Sequence, residues 1–473
     1  MTARDHFLEV VRKHAYPGPE GPALWSAACE APSRARLRAI QEEKLAAGFD
    51  HLFESSAFYR HRFELAGLRR GSVRSLDDLR RVPVTRKLDW MPDIEAHPPW
   101  GTFSPLSEQR WRASPWMVFS TSGTTRRPRL FRHTTHDRDI WAWMNARALW
   151  SYGVRPGEVA LNCFYYGASV AAWGLHEGLL RLGCPVVPGG AMPPERRAAV
   201  VVHVRPAVLL GTPSGLLTLG RRVQEQGDDP AAQGVRTLVC AGEPGAAIGP
   251  TRRRLQALWG AQVHDDFGCT EIAMAPLGYT CQAEAGKRDG EIGVHLMEDA
   301  LIVEVLDPET LEPVPVGQRG TLVVSNLYSE AVPFLRFDMG DWVRLRDDPC
   351  ACGRTHVRAV GGLLGRNDHC LKIKGLQFFP STFEDAIRSI DGLGDEYRVD
   401  VLASSEPDRD DVEIVVERGP GPGAALTASH VASRLRGILG ITVVVNLVEP
   451  GTLPRSDGKG IRFVDRRAAA AAG

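Results

Sequence analysis

A run of hydroxyl residues followed by basic residues is the part of the sequence best suited to binding phosphate. Residues 119–130 read Phe-Ser-Thr-Ser-Gly-Thr-Thr-Arg-Arg-Pro-Arg-Leu and follow the apolar pair Met117-Val118. Glycine permits a sharp turn, while hydroxyls, backbone N–H groups and arginines can surround phosphate oxygens. The spacing is not that of a Walker A loop. It predicts a polyanion-binding turn that leaves a strand, with an ordinary Ser/Thr-rich surface loop as the alternative.

Two later turns add carboxylates after apolar runs. They are residues 241–244 (Ala-Gly-Glu-Pro) and 266–271 (Asp-Phe-Gly-Cys-Thr-Glu). Thr270 and Glu271 suit Mg²⁺, a hard cation that prefers oxygen ligands and usually shares them with a substrate phosphate. The alternative is that Glu243 and Glu271 are ordinary solvated acids of loops.

Charged residues in the last third of the chain complete the set. Asp341 follows a glycine in an expected strand–turn–strand, and one carboxylate there can accept both hydroxyls of a ribose. Arg366 and Lys459 lie in glycine-containing segments. Their positive charges suit the negative charge that develops during phosphoryl-type chemistry.

The middle of the chain alternates apolar runs with amphipathic stretches, which predicts parallel βαβ units and a layered α/β domain. Ligands of such sheets bind at the carboxyl ends of the strands, where we expect the Ser/Thr-rich loop. Helical spacing of apolar residues over 33–66 predicts helices before this domain. The predicted strands are 159–164, 185–188, 207–211 and 237–241, and the predicted helices are 169–182, 194–203, 214–226 and 249–259.

Composition limits the class of protein. The chain has 473 residues, of which 43% are hydrophobic, and 57 Lys+Arg balance 57 Asp+Glu. This balance argues against general binding to nucleic acid or a membrane surface, both of which need a basic excess. No apolar run approaches the about 20 residues that cross a bilayer, and no signal pattern opens the sequence, so we expect a cytoplasmic protein. Nine cysteines in a chain of this size do not predict a disulfide framework.

Six motifs together resemble the ANL adenylate-forming superfamily, and its phenylacetate–CoA ligase branch most of all. The similarity runs from about residue 35 to about residue 466 and preserves the order of the motifs. One departure is Arg126-Arg127, where the family usually has Gly-Lys, and another is His369, which replaces a second acid after Asp368. The motifs are STSGTT, AGEP, FGCTE, RFDMGD, GRNDHCLKIKG and LPRSDGKGIR.

The resemblance implies a nucleotide site shared by several motifs. Segment 120–129 would close on the β- and γ-phosphates of ATP, Asp341 would bind the ribose, and Arg366 would lie near the ribose or a phosphate. Thr270 and Glu271 would lie at the α-phosphate and Mg²⁺. The residues implied in cofactor binding are Ser120, Thr121, Ser122, Gly123, Thr124, Thr125, Arg129, Gly242, Glu243, Pro244, Asp266, Phe267, Gly268, Asp341, Arg366, Lys374 and Gly375.

The implied reaction has two steps. A carboxylate attacks the α-phosphorus of ATP to give an acyl-adenylate and pyrophosphate, and the thiol of CoA then displaces AMP. Lys459, Thr270 and Glu271 would be the catalytic residues, with Lys459 on a mobile C-terminal lid. Alternatives are delivery of the acyl group to a carrier-protein thiol or an amine, and an inactive relative that binds nucleotide.

The resemblance also assigns an acid pocket. Stretch 162–169 corresponds to a family segment that lines an aryl pocket, and aromatic side chains would offer a flat apolar slot. An aromatic or arylacetic acid is therefore expected, although the same side chains could be ordinary core residues. The expected pocket residues are Phe164, Tyr165, Tyr166, Gly167, Trp173 and Ala273.

Some members of the branch pair a Cys-x-Cys-Gly motif with an earlier cysteine and histidine. Here these are Cys350 and Cys352 with Cys281 and His295, a set that suits tetrahedral Zn²⁺. His356 could take the place of His295, and reduced thiols without metal are the alternative to structural zinc.

Two domains are expected. Residues 1–367 would form the adenylation domain, with a helical segment over 1–90 and an α/β core over about 110–330. Residues 368–473 would form a small mobile α+β lid, hinged at Asp368. The expected partners are a small carboxylic acid, ATP and CoA or a carrier protein, and a homodimer is considered.

Overall fold

The structure is a computed structural model that describes residues 1–121, 129–168, 170–243, 245–272, 276–287, 292–366, 371–373, 376–403, 410–419, 426–454 and 462–467. The helices are α1 (Ala3–Lys13), α2 (Ala27–Glu30), α3 (Arg34–Ser55), α4 (Ala57–Leu65), α5 (Leu76–Leu79), α6 (Lys87–Ala96), α7 (Glu108–Ala113), α8 (Thr135–Ser151), α9 (Val170–Leu182), α10 (Pro194–Val204), α11 (Pro213–Glu225), α12 (Gly249–Trp259), α13 (Gln282–Ala285), α14 (Pro380–Arg388) and α15 (Ala428–Leu439). The strands are β1 (Pro115–Ser120), β2 (Leu130–Thr134), β3 (Ala160–Asn162), β4 (Val186–Pro188), β5 (Val208–Gly211), β6 (Thr237–Cys240), β7 (Gln262–Phe267), β8 (Gly278–Tyr279), β9 (Gly293–Leu296), β10 (Leu301–Leu306), β11 (Arg319–Asn326), β12 (Phe337–Arg346), β13 (Arg358–Val360), β14 (Gly365–Arg366), β15 (Leu371–Ile373), β16 (Leu376–Phe378), β17 (Leu393–Ala403), β18 (Asp410–Arg418), β19 (Val444–Val448) and β20 (Phe463–Asp465).

A twelve-stranded mixed sheet forms the centre of the large domain. Its order is β10-β11-β12-β13-β9-β8-β7-β6-β5-β3-β4, and β14 also pairs with β12. Strands β4, β3, β5, β6 and β7 are parallel, whereas the strands beyond β7 are antiparallel. Every residue of β5 and β6 is buried, as expected for parallel strands covered on both faces. The predicted α/β class is therefore confirmed.

Helices α9 to α12 alternate with strands β3 to β7, as the sequence predicts. The predicted bounds differ from the observed ones by one or two residues at most ends, where caps rather than periodicity decide the terminus. At the start of α11, for example, the side chain of Thr212 accepts a hydrogen bond from the backbone N–H of Gly215.

The Ser/Thr-rich segment connects the two strands of a separate hairpin. Strand β1 pairs antiparallel with β2, and Ser120 lies opposite Leu130. The segment follows a strand, as predicted, but that strand belongs to a two-stranded sheet separate from the large one. The loop still reaches that sheet, because the backbone N–H of Ser120 donates to the carbonyl of Ala168, 2.9 Å away in the segment after β3.

The strand–turn–strand expected at Asp341 was also wrong. Residues 337–346 form one continuous strand, β12, which carries an irregularity opposite β11. Gly340 absorbs the distortion with a φ of +71°, a conformation that side chains with a Cβ rarely adopt. The bulge bends the strand immediately before Asp341.

The C-terminal part has its own sheet and core. The sheet order is β19-β18-β17-β20, with β17 and β18 antiparallel and the two outer strands parallel to their neighbours. Helices α14 and α15 contribute Phe383, Ile387 and Leu435 to a hydrophobic cluster with β17 and β18. The expected small α+β domain is confirmed, whereas the boundary at residue 367 stays a prediction.

The first helices pack into the large domain through buried polar contacts as well as apolar ones. Lys44 of α3 is 3% exposed and donates to the carbonyl of Asp299, 2.7 Å away. The Asp299 carboxylate in turn accepts from Arg147 of α8 at 2.8 Å. These pairs satisfy charges that would otherwise be costly to bury. Among the described residues, no helix has the length and apolar character of a membrane span.

Candidate active site

The two ends of the phosphate-binding segment are held together by hydrogen bonds. The backbone N–H of Thr121 donates to the carbonyl of Arg129 at 3.1 Å, and Arg129 Nε donates to Thr121 Oγ1 at 3.0 Å. This closes the base of the connection between β1 and β2. The predicted ligand residues between these ends lie outside the described residues; they are Ser122, Gly123, Thr124 and Thr125, with Arg126 and Arg127.

Arg129 links this segment to the Thr-Glu motif. Its Nη1 lies 3.4 Å from Oε1 of Glu271, and its guanidinium lies 5.5 Å from the ring centroid of Trp90. Burial lowers the pKa of Arg129, Glu271 opposes that shift, and Arg366 adds to it. Nη1 is buried and has no hydrogen-bond partner among the described residues. A cation with an unmet donor at this position is suited to an anionic oxygen.

Asp341 and Arg366 are brought together by strand pairing. They lie opposite each other on β12 and β14, and Arg366 Nη1 lies 3.7 Å from Asp341 Oδ2. Arg366 also donates to the carbonyl of Met339 at 3.5 Å. Because Arg366 influences Arg129 as well, the three predicted motifs that carry Arg129, Asp341 and Arg366 converge on one region.

The residues after β7 have different exposures. Phe267 is buried, with its ring against Gly278, and Gly268 is exposed. Thr270 and Glu271 are partly exposed. The Thr270 and Glu271 side chains, which are predicted to bind the metal, are therefore less buried than most of the preceding strand β7.

Asp266 is held inside by a partner that sequence reasoning missed. The hydroxyl of Tyr152, at the end of α8, donates to Asp266 Oδ2 at 2.8 Å. Burial raises the pKa of Asp266 to about 7, and the hydrogen bond from Tyr152 lowers it in part. Its neighbour Asp265 also has a pKa raised to about 7, by burial and by Asp266, with Arg252 opposing. No spacing in the sequence relates Tyr152 to Asp266.

Glu243 makes a contact that orients the Ala-Gly-Glu-Pro turn. Its Oε1 accepts from the backbone N–H of Ser214 at 2.7 Å, in the first turn of α11. Burial raises the pKa of the Glu243 carboxyl, and the bonds from Ser214 oppose the shift. Gly242 has a φ of +87°. The turn is thus fixed against α11, and Pro244 lies outside the described residues.

Tyr166, Trp173 and His176 form an aromatic group beside the segment after β3. Tyr166 and Trp173 meet edge to face with centroids 5.1 Å apart, and the Tyr166 hydroxyl lies 3.1 Å from His176 Nδ1. Trp173 Nε1 donates to the carbonyl of Gly167 at 3.0 Å. Burial lowers the pKa of His176, so its neutral form is favoured. His176 was not predicted from the sequence, although it lies three residues after Trp173, a spacing that places two side chains on one face of a helix.

The other predicted pocket residues differ in exposure. Phe164 is 8% exposed and its ring lies 4.0 Å from the position a Cβ would take on Gly242. Tyr165 is 69% exposed, and its ring covers Gly167 so closely that a Cβ there would clash. Phe164 therefore joins the pocket segment to the Ala-Gly-Glu-Pro turn, and Tyr165 lies at the surface. Ala273 lies outside the described residues.

Four predicted metal ligands meet although they are far apart in sequence. The ligand atoms of Cys281, His295, Cys350 and Cys352 all lie within 4.8 Å of one another. Cys352 Sγ is 3.4 Å from His295 Nε2, while His295 Nδ1 lies 3.3 Å from the carbonyl of His356. Hydrogen bonds with Cys281 lower the pKa of Cys350 and of Cys352, whereas the same contacts raise the pKa of Cys281. His356 itself lies 3.8 Å from Asp299 Oδ1 and outside this set.

Several predicted residues of the C-terminal part lie outside the described residues. They are Asp368, Lys374, Gly375 and Lys459.

Two family models cover most of the chain. The model described as AMP-binding enzyme matches residues 66–328, and the AMP-binding enzyme C-terminal domain matches residues 375–467. The chain belongs to the AMP-binding enzyme family. The first match spans the β1–β2 hairpin, the parallel strands and the Thr-Glu motif of this AMP-binding enzyme.

Curated relatives extend the similarity over more than nine-tenths of the chain. The phenylacetate–coenzyme A ligase of Thermus thermophilus is 32% identical over 447 residues, which cover 91% of this chain and 96% of the relative. The phenylacetate–coenzyme A ligase of Escherichia coli is 28% identical over 448 residues, covering 93% of this chain and 97% of the relative.

Solved structures of 2-hydroxyisobutyryl-CoA ligase resemble this AMP-binding enzyme. The ligase in its postadenylation state, in complex with R3-HIB-AMP, has a TM-score of 0.88 at 28% identity, with 97% of this chain and 96% of that chain covered. In the thioesterification state, in complex with 2-HIB-AMP and CoA, the same ligase has a TM-score of 0.71 at 29% identity and the same coverage. The overall arrangement of this AMP-binding enzyme is thus more similar to the postadenylation state.

Proposed function

We propose that this AMP-binding enzyme joins a carboxylic acid to CoA in two steps that consume ATP. A carboxylate oxygen attacks the α-phosphorus and displaces pyrophosphate, which gives an acyl-adenylate. The CoA thiol then attacks the acyl carbon and releases AMP. The observation that carries the proposal is the convergence of Arg129, Glu271, Arg366 and Asp341. The names of the full-length relatives support CoA as the acceptor.

The site residues are assigned by chemistry and by the family resemblance. Segment 120–129 binds the β- and γ-phosphates of ATP, and the buried Nη1 of Arg129 supplies a donor for them. Asp341 accepts the ribose hydroxyls, and Arg366 contacts the ribose or a phosphate. Lys459 contacts the acid and the bridging oxygen of the phosphate in the first step. The preformed pair of Arg129 and Glu271 keeps both charges in place before the nucleotide arrives.

Mg²⁺ is the metal that this reaction class implies. Thr270 and Glu271 fit it, because both are partly exposed and offer oxygen ligands, and Glu271 lies beside Arg129. The ion would supply charge neutralisation of the phosphates when bound. Glu271 therefore has two proposed partners, the ion and the guanidinium.

The acid is proposed to be aromatic or arylacetic. Phe164 and Tyr166 lie on the segment that follows β3, and Trp173 of α9 packs against Tyr166. Phe164 connects this group to the Ala-Gly-Glu-Pro turn. An edge-to-face aromatic group of this kind favours a flat ring over a flexible alkyl chain. The relatives named phenylacetate–coenzyme A ligase support this class of acid.

Structural zinc is proposed at the cysteine cluster. Three sulfur atoms and one imidazole nitrogen within 4.8 Å of one another match the ligand number and the ligand types of a closed zinc site. The bond of His295 Nδ1 to the carbonyl of His356 leaves Nε2 available as the ligand atom. The ion would tie α13 and β9 to the loop before β13.

A two-part assay tests the function. Acid-dependent exchange between ATP and labelled pyrophosphate reports adenylation, and AMP release with thioester formation reports the CoA step. We expect both with phenylacetate, and weaker exchange with 2-hydroxyisobutyrate and with long-chain fatty acids. Exchange without a thioester would exclude CoA as the acceptor and point to a carrier protein or an amine. No exchange with any acid of the panel would overturn the proposal.

Trp173 provides a variant that tests the acid class. Trp173→Ala removes a half-buried ring from the aromatic group. We expect it to raise KM for phenylacetate by about tenfold or more while KM for ATP stays within twofold. Trp100→Ala, which changes a half-buried tryptophan tilted against Trp111 with ring centroids 5.7 Å apart, is the matched control. Equal changes of both KM values would count against a place for Trp173 in the acid pocket.

A further inference from the structure

One arginine of the large domain binds the small domain at several points. Arg254 lies on α12, and its Nη1 donates to Asp395 Oδ1 at 2.5 Å and to the carbonyl of Gly394 at 3.4 Å. Its Nη2 donates to the carbonyl of Arg388 at 3.2 Å and to that of Leu393 at 3.5 Å. A single guanidinium therefore holds both the end of α14 and the start of β17.

A second arginine reaches the same carboxylate. Arg221, on α11, forms an ion pair with Asp395. The side chains of Arg221, Arg254 and Asp395 are 30%, 23% and 17% exposed. Pairs that are partly withdrawn from water and made by a guanidinium with several donors are stronger than isolated surface ion pairs. Asp395 thus forms ion pairs with arginines on two different helices of the large domain.

A further contact between the two parts lies near the domain connection. Ser381 Oγ, in α14, donates to the carbonyl of Leu364 at 2.7 Å, immediately before β14. That bond is close to the hinge and can persist through a rotation, because a hinge moves little. Asp395 lies beyond α14, near the start of β17, so its contacts with α11 and α12 are separate from the bond of Ser381.

We infer that the ion pairs of Arg254 and Arg221 with Asp395 hold the small domain in the arrangement used for adenylation. We call these three residues the Asp395 latch. The inference rests on the proposed two-step function and on the similarity to the postadenylation state, with a TM-score of 0.88 against 0.71 for the thioesterification state. Arg254 and Arg221 are positioning residues, because they act through the orientation of the domain and not on the substrate.

The Asp395 latch shifts the equilibrium between the two arrangements of the small domain. Contacts made in only one of two states shift the equilibrium towards that state by their free energy. Loss of the latch should therefore depopulate the adenylating arrangement and leave the other one unopposed. The first half-reaction should slow, while transfer from a preformed acyl-adenylate to CoA should be unchanged or faster.

Two variants test this with a matched control. Arg254→Ala removes the four contacts to the small domain, and Asp395→Ala removes the shared carboxylate. Arg222→Ala is the control, since Arg222 pairs with Glu225 within α11. We expect pyrophosphate exchange to fall about tenfold in both test variants, which corresponds to about 1.4 kcal/mol. Thioester formation from supplied phenylacetyl-adenylate and CoA should stay within twofold of wild type, and so should both reactions of Arg222→Ala.

A conservative variant and a physical measurement separate the latch from general damage. Arg254→Lys keeps the charge without the fork of donors, so it should lie between wild type and Arg254→Ala. Small-angle X-ray scattering should fit this arrangement for the wild type and depart from it for Arg254→Ala, with unchanged circular dichroism. Equal loss of both half-reactions, or scattering identical to wild type with normal exchange, would overturn the latch.

Failure of the proposed function would give a different result. If the wild type shows no exchange with any acid, the function fails, yet scattering still reports whether Arg254 and Asp395 hold the small domain. If the wild type exchanges normally and the variants do too, the latch alone fails.

Discussion

Nη1 of Arg129 lies 3.4 Å from Oε1 of Glu271, so the end of the phosphate-binding segment and the Thr-Glu motif meet in a single ion pair. Arg129 is 6% exposed and also hydrogen-bonds Thr121 at the other end of the segment. A side chain with these contacts can orient the loop and offer charge to a phosphate at the same time. Substitution of Arg129 therefore tests directly the proposed geometry of the nucleotide site.

Replacement of Arg129 should damage the first half-reaction. Arg129→Ala removes a donor next to the proposed phosphates, and kcat/KM for pyrophosphate exchange should fall by about a hundredfold. Arg129→Lys should recover only part of the loss, because an ammonium cannot bond Thr121 and face Glu271 together. The control is Arg112→Ala, whose side chain is 75% exposed and pairs with Glu108. Exchange within twofold of wild type for Arg129→Ala would contradict the assignment.

The buried carboxyl of Asp266 should make stability depend on pH. Its pKa is about 7 in the folded chain, raised by burial from the usual 3.8, so the folded chain keeps the proton to a higher pH than the unfolded chain. Stability should therefore fall as pH rises between about 4 and about 7. Asp266→Asn removes this loss, which has an upper limit of about 4 kcal/mol.

Urea unfolding at about pH 5 and about pH 8 measures this effect. The difference in unfolding free energy between the two conditions should be smaller in Asp266→Asn than in wild type. Tyr152 can still donate to the amide oxygen. Asp265 keeps the rise in pKa that burial causes and loses the part caused by the Asp266 charge. Asp77→Asn, a change at a side chain that is 73% exposed, should behave as wild type. An unchanged pH dependence in Asp266→Asn would show that Asp266 is ionised in the folded chain.

Gly365 is required by the close approach of Phe379. A Cβ on Gly365 would lie 2.7 Å from Phe379 Cβ, and its φ of +152° is unfavourable for other residues. Gly365→Ala should lower the unfolding free energy by about 1–3 kcal/mol through overpacking where β14 meets the small domain. Gly437→Ala is the control. Gly437 lies in α15 with open space around it, and alanine there should stabilise by about 0.5–1 kcal/mol. Thermal and urea unfolding of both variants would reveal opposite signs, and a stable Gly365→Ala would refute the argument.

The cysteine cluster predicts a metal content that can be measured. Purified protein should contain one zinc per chain, and Cys352→Ala should lose it. The unfolding free energy should then fall by about 3 kcal/mol or more, the stabilisation given by a ligand at a hundred times its Kd. Cys29→Ala, at a buried cysteine outside the cluster, should keep the zinc. Wild-type protein without zinc, even after incubation with zinc salts, would falsify the proposal.

The sequence predicted the elements whose information is local. The alternation from β3 to β7 follows from apolar runs and helical spacing. The four clustered metal ligands are far apart in sequence, and the family resemblance rather than any local pattern implied them. The bulge at Gly340 was missed, because a glycine before a carboxylate is compatible with a turn as well as with a distorted strand.

Contacts between distant segments were not predictable in the same way. Tyr152 donates to Asp266, and Arg254 donates to Asp395, yet neither pair has a characteristic spacing or an unusual residue type. Their partners are decided by how helices dock on the sheet and by how the two domains meet. Such side-chain contacts depend on how whole helices and strands are positioned relative to one another, and no local sequence pattern predicts that positioning.

Through its backbone, Thr85 connects the N-terminal part of the chain to the large sheet. Its backbone N–H donates to the carbonyl of Arg336 at 2.8 Å, and its carbonyl accepts from the N–H of Asp338 at 3.0 Å, so it borders β12 near Asp341. A fragment that begins after Thr85 would leave these backbone groups open at a strand edge, a surface on which other chains can pair and aggregate. Constructing a soluble minimal enzyme therefore requires the N-terminal segment, even though the proposed catalytic residues all come later.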